Sequence, residues 1–159
     1  MNNPSSHPTA FQVLRKFRQI YGSVRQHFRE IEQTCGVSGS QLWILQEVAN
    51  TPGVGVSEVA ERLSIHQSTC SQLVEKLVAR NLIIKKRSEE DQRRVGLNLP
   101  EATLELLRKA PSPIKGVLPE ALMLLPEEIL KSLDFSLQEV INQLQIDDDK
   151  FADNHLADM

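Results

Sequence analysis

A chain of 159 residues with 40% hydrophobic and 25% charged residues is typical of one globular domain, not of a fibrous or intrinsically disordered protein. Two cysteines are too few for a disulfide-stapled secreted scaffold, so the composition favours a reduced, cytoplasmic setting. The first ten residues lack an early basic charge and an apolar run, and the longest apolar segment, 116–126, is interrupted by Pro119 and Glu120. We therefore expect neither a secretory signal nor a membrane span.

The net charge of −3 is unevenly distributed along the chain. Residues 1–99 contain 13 Lys and Arg against 9 Asp and Glu, whereas residues 100–159 contain 5 against 12. This asymmetry suggests that the basic part faces a polyanion, although chance clustering of charges would give the same pattern.

A long amphipathic helix is predicted from Ala10 to Thr34. Its apolar residues recur in alternating steps of three and four, the spacing of a helix that packs against other helices along its length. They are Leu14, Phe17, Tyr21, Val24, Phe28, Ile31 and Cys35. Such a helix is either an ordinary core helix or one that serves both a core and a dimer interface.

The next helix is predicted to begin at Ser38, because Gln41 follows at the spacing of a capping box, and to end near Asn50. Two shorter helical segments follow, with Ser57 as the expected N-cap of the first and a link of two or three residues around Ser64. Their inward-facing residues are expected to be Val59, Ala60, Leu63, Ile65, Cys70, Leu73, Val74 and Leu77. So tight a turn predicts a helix-turn-helix, although helical hairpins that bind no nucleic acid share this spacing.

A β-hairpin is predicted directly after these helices. The runs LIIKKR and RRVGLNL are typical of strands, and SEEDQ between them suits a turn. A helix-turn-helix followed by a basic hairpin is a winged helix, and this placement favours DNA binding over a merely solvated run of charge.

Further helical segments follow the wing. Pro100 can occupy the first turn of a helix, the PSP at 111–113 breaks or kinks that helix, and Pro126 opens the last one. The last helix has an apolar stripe. It consists of Ile129, Leu133, Leu137, Val140, Ile141 and Leu144.

The chain resembles the MarR family of bacterial transcriptional regulators in the order of its elements, which are a long helix, a winged helix-turn-helix and two further long helices. The segments SIHQSTCSQLVEKLVARNLI and DQRRVGLNL carry this resemblance. The resemblance extends over residues 10–144 and is densest over 38–99. Asp91 and Arg93 match the Asp-x-Arg pattern of the family's wing. The chain departs from the usual pattern at Leu99-Pro100, where Leu-Thr is common, and at the PSP break.

The predicted fold class is mainly α with a small β-hairpin wing (α+β). A winged helix-turn-helix at 38–100 lies between N- and C-terminal dimerisation helices at 10–37 and 101–146. Residues 1–9 are expected to form a flexible N-terminus and residues 147–159 an acidic, disordered tail.

The resemblance implies a homodimer that binds double-stranded DNA at a pseudo-palindromic operator, with half-sites about 10 bp apart. Each recognition helix would enter a major groove and each wing the flanking minor groove. Such a dimer would repress by excluding polymerase, and a small aromatic or phenolic acid would release it by favouring another dimer shape. The operator, the target genes, the effector and the choice between repression and activation are not readable from the sequence.

The DNA-facing residues are predicted from the recognition helix and the wing. The helix face opposite the apolar residues is polar and nearly neutral, which suits base readout because a basic face would bind any sequence through phosphates. Gln67, Ser68, Ser71 and Gln72 are expected at base edges, with Thr69 near the rim and Lys76 at a phosphate. In the wing, Arg93 is expected in the minor groove, Asp91 to orient it or brace the hairpin, and Arg94, Arg87, Lys86 and Lys85 are phosphate candidates.

Two regulatory sites are also candidates. An effector pocket could be lined by Arg15, Phe17, Arg18, Tyr21 and Trp43, although aromatic residues at helical spacing are also ordinary core. A thiol switch would use Cys35 or Cys70. Cys70 is expected to be buried, whereas Cys35 lies near a helix end and could be exposed.

Other functional classes are less consistent with the sequence. The four histidines are scattered, and no phosphate loop, metal-ligand spacing or nucleophile motif is present, so no enzymatic activity and no cofactor are expected. A winged-helix adaptor that binds proteins and not DNA remains an alternative, but Arg93 and the neutral recognition face argue for DNA.

Overall fold

The computed structural model describes residues 8–114 and 116–145 and confirms the predicted fold class, a mainly helical chain with one small antiparallel hairpin. The elements of the first part are α1 (Pro8–Cys35), α2 (Gly39–Asn50), α3 (Val56–Leu63) and α4 (Gln67–Ala79). The hairpin strands are β1 (Ile84–Arg87) and β2 (Val95–Asn98). The last helices are α5 (Glu101–Lys109), α6 (Val117–Met123) and α7 (Glu127–Gln143).

Helix α1 is amphipathic as predicted, but its two halves have different surroundings. Val24, Phe28, Ile31 and Cys35 are buried against the core, whereas the earlier residues of the same apolar seam are exposed. Tyr21, for example, has 54% of its surface exposed. The helix therefore packs against its own chain with its C-terminal half and leaves an apolar face uncovered in its N-terminal half.

Helix α2 begins with the predicted capping box and lies at the centre of the winged domain. The Ser38 side chain accepts a hydrogen bond from the Gln41 N–H at 3.2 Å, and the Gln41 side chain accepts one from the Ser38 N–H at 3.0 Å. Its apolar residues Leu42, Leu45 and Val48 are fully buried. Two of the free N–H groups at the helix start are thus satisfied locally.

The predicted wing is present, with Ile84 paired to Asn98 and Arg87 paired to Val95. It is joined to the loop after α2, because the Gly53 N–H donates to the Leu97 carbonyl at 2.7 Å. The Leu97 N–H in turn donates to the Val54 carbonyl at 2.8 Å. A Cβ at Gly96 would lie 2.6 Å from the Gly53 carbonyl oxygen, so this close approach requires glycine.

The C-terminal part differs from the expectation of two long helices, because the chain between the wing and α7 forms two short helices, α5 and α6. Pro100 is the N-cap of α5 and does not lie in its first turn. The segment between the two helices is fastened to α1, since Nε2 of the buried His27 donates to the Pro113 carbonyl at 2.8 Å. Within the described residues no side chain of α6 or α7 is buried.

Two further predictions concern the ends of the chain and membranes. Helix α1 begins at Pro8, two residues before the predicted start, so residues 8 and 9 of the expected flexible N-terminus are helical. The rest of that segment, 1–7, and the expected acidic tail at 147–159 lie outside the described residues. Among the helices of the described segments, none is both long and apolar enough to cross a membrane.

Candidate DNA-binding surface

The recognition helix α4 separates an apolar face from a polar one. Cys70, Val74 and Leu77 are completely buried, and they hold the helix against the rest of the winged domain. All six residues predicted to face DNA are exposed. They are Gln67, Ser68, Thr69, Ser71, Gln72 and Lys76. The structure therefore leaves a contiguous, largely neutral polar face free for a ligand in solution.

The turn between α3 and α4 is as tight as predicted. Ser64 has the left-handed conformation with φ of 54°, and the Ile65 N–H donates to the Ala60 carbonyl at 3.1 Å, which closes the end of α3. The predicted role of Ser57 is wrong, because Gly55 is the N-cap of α3 and no side chain caps this helix. The Ser57 hydroxyl instead accepts a hydrogen bond from Nε2 of Gln67 at 2.8 Å.

The tip of the wing is organised by Asp91 and Ser88. Oδ1 of Asp91 accepts a hydrogen bond from the Arg93 backbone N–H at 3.0 Å, and the Arg94 N–H donates to the Asp91 carbonyl at 2.9 Å. The Ser88 hydroxyl accepts from the backbone N–H groups of Glu90 and Asp91, both at 3.3 Å. Of the two predicted roles for Asp91, bracing the hairpin turn is therefore the one that these contacts describe.

A cleft of about 720 Å³ separates the start of α3 from the wing. Lys86, Arg87, Arg93 and Arg94 line it together with Ser57, and Glu58 is the one carboxylate in its lining. Glu58 already forms an ion pair with Arg62 in the next turn of α3. The cleft is consequently a region of positive potential beside the recognition helix, which attracts phosphate groups.

One residue of the polar face was missed by the sequence analysis. Glu75 lies three residues after Gln72 and four after Ser71, so it shares their face of α4 and is exposed. Its carboxylate forms an ion pair with Lys85 of β1. This pair connects the recognition helix to the wing and engages Lys85, which had been a phosphate candidate; the helical spacing alone would have identified Glu75.

The residues proposed for an effector pocket do not meet at one place. Phe17 and Tyr21 line an apolar groove of about 610 Å³ with residues of α6 and α7, whereas Arg18 and Tyr21 line a separate cleft of about 370 Å³ on α1. Trp43 belongs to α2 and packs against the winged-domain core. Arg15 is exposed on α1 and lines neither cavity.

Both cysteines are buried, and the expectation that Cys35 could be exposed is wrong, since only 8% of its surface is accessible. Burial raises the pKa of the Cys35 thiol, and it raises the pKa of Cys70 from 9.0 to about 11. Both groups are therefore thiols at neutral pH and poor nucleophiles, the opposite of what a redox sensor requires. Across 8–114 and 116–145, no three His, Cys, Asp or Glu side chains form a metal-binding group.

Comparison with known proteins gives consistent matches. The model of the MarR family matches residues 36–94. A proposed transcriptional regulatory protein for the hcr operon of Thauera aromatica is 31% identical over 85 residues, which are 54% of this chain and 51% of that protein. The transcriptional repressor MdtR of Bacillus subtilis is 26% identical over 82 residues, 52% of this chain and 53% of that one. The chain thus matches about half the length of each relative.

A likeness in structure extends further along the chain. The S. aureus MepR–DNA complex superposes with a TM-score of 0.57 and covers 89% of this chain and 99% of that chain, at 19% sequence identity. At this identity the likeness establishes the fold.

Proposed function

We propose that this chain belongs to the MarR family, whose model matches residues 36–94, and that it is a sequence-specific DNA-binding regulator of transcription. The observation that carries the proposal is the polar face of α4. It is exposed and nearly neutral, it lies beside a cationic cleft, and Cys70, Val74 and Leu77 on the opposite face are completely buried. Neutral polar side chains suit base edges, while the adjacent cations suit the phosphates that flank them.

The protein acts as a homodimer. Exposed apolar side chains of α1, α6 and α7 line the 610 Å³ groove, and Met123 and Leu124 beside it are 82% and 81% exposed. A monomer rarely leaves so large a contiguous apolar surface in water, so a second copy of the chain is the partner that this surface fits. The dimer presents two recognition helices to half-sites about one helical turn, roughly 34 Å, apart.

Within the dimer, Gln67, Ser68, Ser71 and Gln72 contact base edges, with Thr69 at their rim. Lys76, Arg87 and Arg94 contact phosphates, and Arg93 enters the minor groove from a wing tip that Asp91 braces. Repression follows because a dimer on a promoter excludes polymerase. The repressor named among the relatives supports this choice over activation.

A small aromatic acid is the proposed effector. The cleft on α1 offers the Arg18 and Arg25 guanidinium groups beside the Tyr21 ring, and Arg25 lies 5.6 Å from the centre of that ring. A carboxylate pairs with a guanidinium while an aromatic ring stacks on tyrosine, so this cleft with its guanidinium groups matches an aromatic acid better than the largely apolar groove does, where Lys16 is the one cation in the lining. Benzoate and hydroxybenzoates, titrated against the protein–operator complex, test this proposal by release of DNA; the absence of release at any concentration contradicts it.

The test of DNA readout is selection of operator sites from random duplexes by the wild-type protein. We expect a pseudo-palindromic consensus, and Gln72→Ala should lose about 1–3 kcal/mol of discrimination at a single base pair of each half-site. Arg93→Ala should weaken binding to all sequences and lower the salt slope by about 1 for each subunit. Gln138→Ala, which removes an exposed glutamine from α7, serves as the control and should change neither property.

Two results would contradict the proposed function. One is the recovery of no consensus from the selection. The other is weak, salt-sensitive binding that neither Gln72→Ala nor Arg93→Ala alters. Either result would favour a winged-helix adaptor that binds proteins.

A further inference from the structure

Ser57 lies where the three elements of the proposed DNA-binding surface meet. It is the second residue of α3, it lines the cationic cleft beside the wing, and its hydroxyl accepts the hydrogen bond from Gln67. Gln67 is the first residue of α4 and is exposed. A single hydrogen bond of 2.8 Å therefore joins the first turns of two helices and holds an exposed side chain of α4.

The geometry leaves the Gln67 amide suited to reading a base. A glutamine amide has two N–H donors and one carbonyl acceptor, and Ser57 engages one of the donors. A bidentate contact with adenine N7 and N6 uses Oε1 and the N–H on the same side of the amide, so it is compatible with a Ser57 that accepts the other N–H. The hydrogen bond to Ser57 thus restricts the rotation of the Gln67 amide and leaves its other N–H and its Oε1 available to contact a base.

The same bond prepares the side chain before DNA arrives. A free glutamine loses rotamer freedom when it binds a base, and this loss reduces affinity. The loss is smaller when a neighbouring residue already limits the rotamers in the unbound protein. Such a neighbour improves binding to the correct base and has no effect where glutamine makes no contact.

The Ser57 hydroxyl is not required for the stability of α3. Gly55 is the N-cap and no side chain caps the helix, so removal of the hydroxyl leaves the helix start unchanged. Ser57 is also exposed, and the loss of one exposed hydrogen bond has a small effect on folding. A change in DNA recognition by Ser57→Ala would therefore reflect its contacts at the surface.

We propose that Ser57 is a positioning residue for sequence readout, which orients the Gln67 amide toward its base pair by accepting one of its two N–H groups. The inference rests on the proposed function, because it requires an operator that Gln67 contacts. It adds to that function a specificity-determining residue outside the recognition helix.

The experiment is a double-mutant cycle on the operator that the wild-type protein selects. Affinities of wild type, Ser57→Ala, Gln67→Ala and the double variant are measured for this operator and for duplexes changed at each base pair. Ser57→Ala should lower discrimination about fivefold at the base pair that Gln67→Ala affects, and at no other. In the Gln67→Ala background the same change should have no further effect, because the side chain that it orients is missing.

Two further variants complete the design. Ser57→Thr keeps the hydroxyl acceptor and should restore discrimination. Ser136→Ala removes a hydroxyl on α7 that donates to the Ser132 carbonyl at 2.7 Å, and it should leave readout unchanged. A restored Ser57→Thr protein distinguishes the role of the hydroxyl from a general disturbance of the α3 start.

Different failures have different meanings. A loss of affinity that is equal for all duplexes and additive with Gln67→Ala assigns Ser57 to a phosphate contact, and it overturns the positioning role. Unchanged discrimination in Ser57→Ala overturns it as well. In both cases the wild-type protein still selects an operator, so the proposed function is not contradicted. If the wild-type protein selects no operator, the proposed function and this inference are both wrong.

Discussion

The winged domain and the helices that flank it are both built from amphipathic helices, but they differ in whether the apolar helix faces are buried. In the winged domain the apolar faces of α2, α3 and α4 are enclosed, and Leu42, Val59 and Leu77 have no accessible surface. In α7 the apolar stripe is as regular, yet Ile129 is 52% and Val140 42% exposed. One region completes its core within one chain, whereas the other leaves its apolar stripe open, and in the proposed dimer a second chain covers it.

The boundary between the enclosed core and the open apolar groove runs through the middle of α1. Val24 and the apolar residues after it belong to the enclosed core, whereas Phe17 and Tyr21 belong to the open groove. The helix therefore joins the two regions, since its N-terminal half lines the open groove and its C-terminal half is buried in the core.

The largest expected effect comes from a charge in the open groove. Leu137 lines the groove from α7, and Leu137→Glu would bury an unpaired carboxylate in the proposed interface. We expect a monomer in sedimentation analysis and an operator affinity reduced about 100-fold or more, because a monomer contacts one half-site. Gln138→Glu adds the same charge at the neighbouring exposed position and should remain dimeric. If the Leu137→Glu protein were still a dimer, this would contradict the proposal that the groove is the dimer interface.

A cavity in the enclosed region should lower stability without affecting assembly. Leu45 is fully buried in α2, so Leu45→Ala should cost about 2–5 kcal/mol of unfolding free energy in urea titration. The dimer dissociation constant should change little, since the residue lies away from the groove. A cost below about 1 kcal/mol would mean that the winged domain is not the rigid part of the molecule.

Removal of the Glu75 charge from the recognition helix should affect the specificity of DNA binding more than the free energy of unfolding. Glu75→Gln removes a carboxylate from the polar face of α4 and releases Lys85 from its ion pair. We expect binding to arbitrary duplexes to strengthen about three- to tenfold at low salt, because a repulsive charge is lost and a cation is gained. Glu139→Gln on α7 is the matched control. If both variants gained the same affinity for arbitrary duplexes, the cause would be the change in net charge and not the position of Glu75.

The smallest expected effect is at the start of α2. Ser38→Ala removes one half of the capping box and should cost about 1 kcal/mol of unfolding free energy. Gln41→Ala should cost a comparable amount, and the two losses should be less than additive because the two side chains act on the same helix start. Full additivity in urea denaturation would show that the two hydrogen bonds act independently.

The sequence predicted the elements whose signals are local. The capping box, the tight turn at Ser64, the wing and the proline that opens α7 each depend on a few adjacent residues, and each is present in the structure. Of the expected inward residues of the helix-turn-helix, Cys70 and Leu77 are completely buried.

The remaining errors concern partners distant in sequence. The Ser57 hydroxyl was expected at its own helix start but accepts a hydrogen bond from Gln67 in the next helix, and the ion pair between Glu75 and Lys85 joins a helix to a strand. Periodicity identifies which face of a helix is apolar but not whether the same chain or another covers it. For that reason the exposure of Phe17 and the burial of Cys35 were not readable from the pattern.

The order of the elements has a consequence for synthesis of the protein. The groove is formed by α1 at one end of the chain and by α6 and α7 at the other, with the winged domain between them. A ribosome that adds about 5–20 residues per second needs several seconds to make the intervening segment. During that interval Phe17, Ile20 and Tyr21 lack the α6 and α7 side chains that share the groove with them in the folded chain.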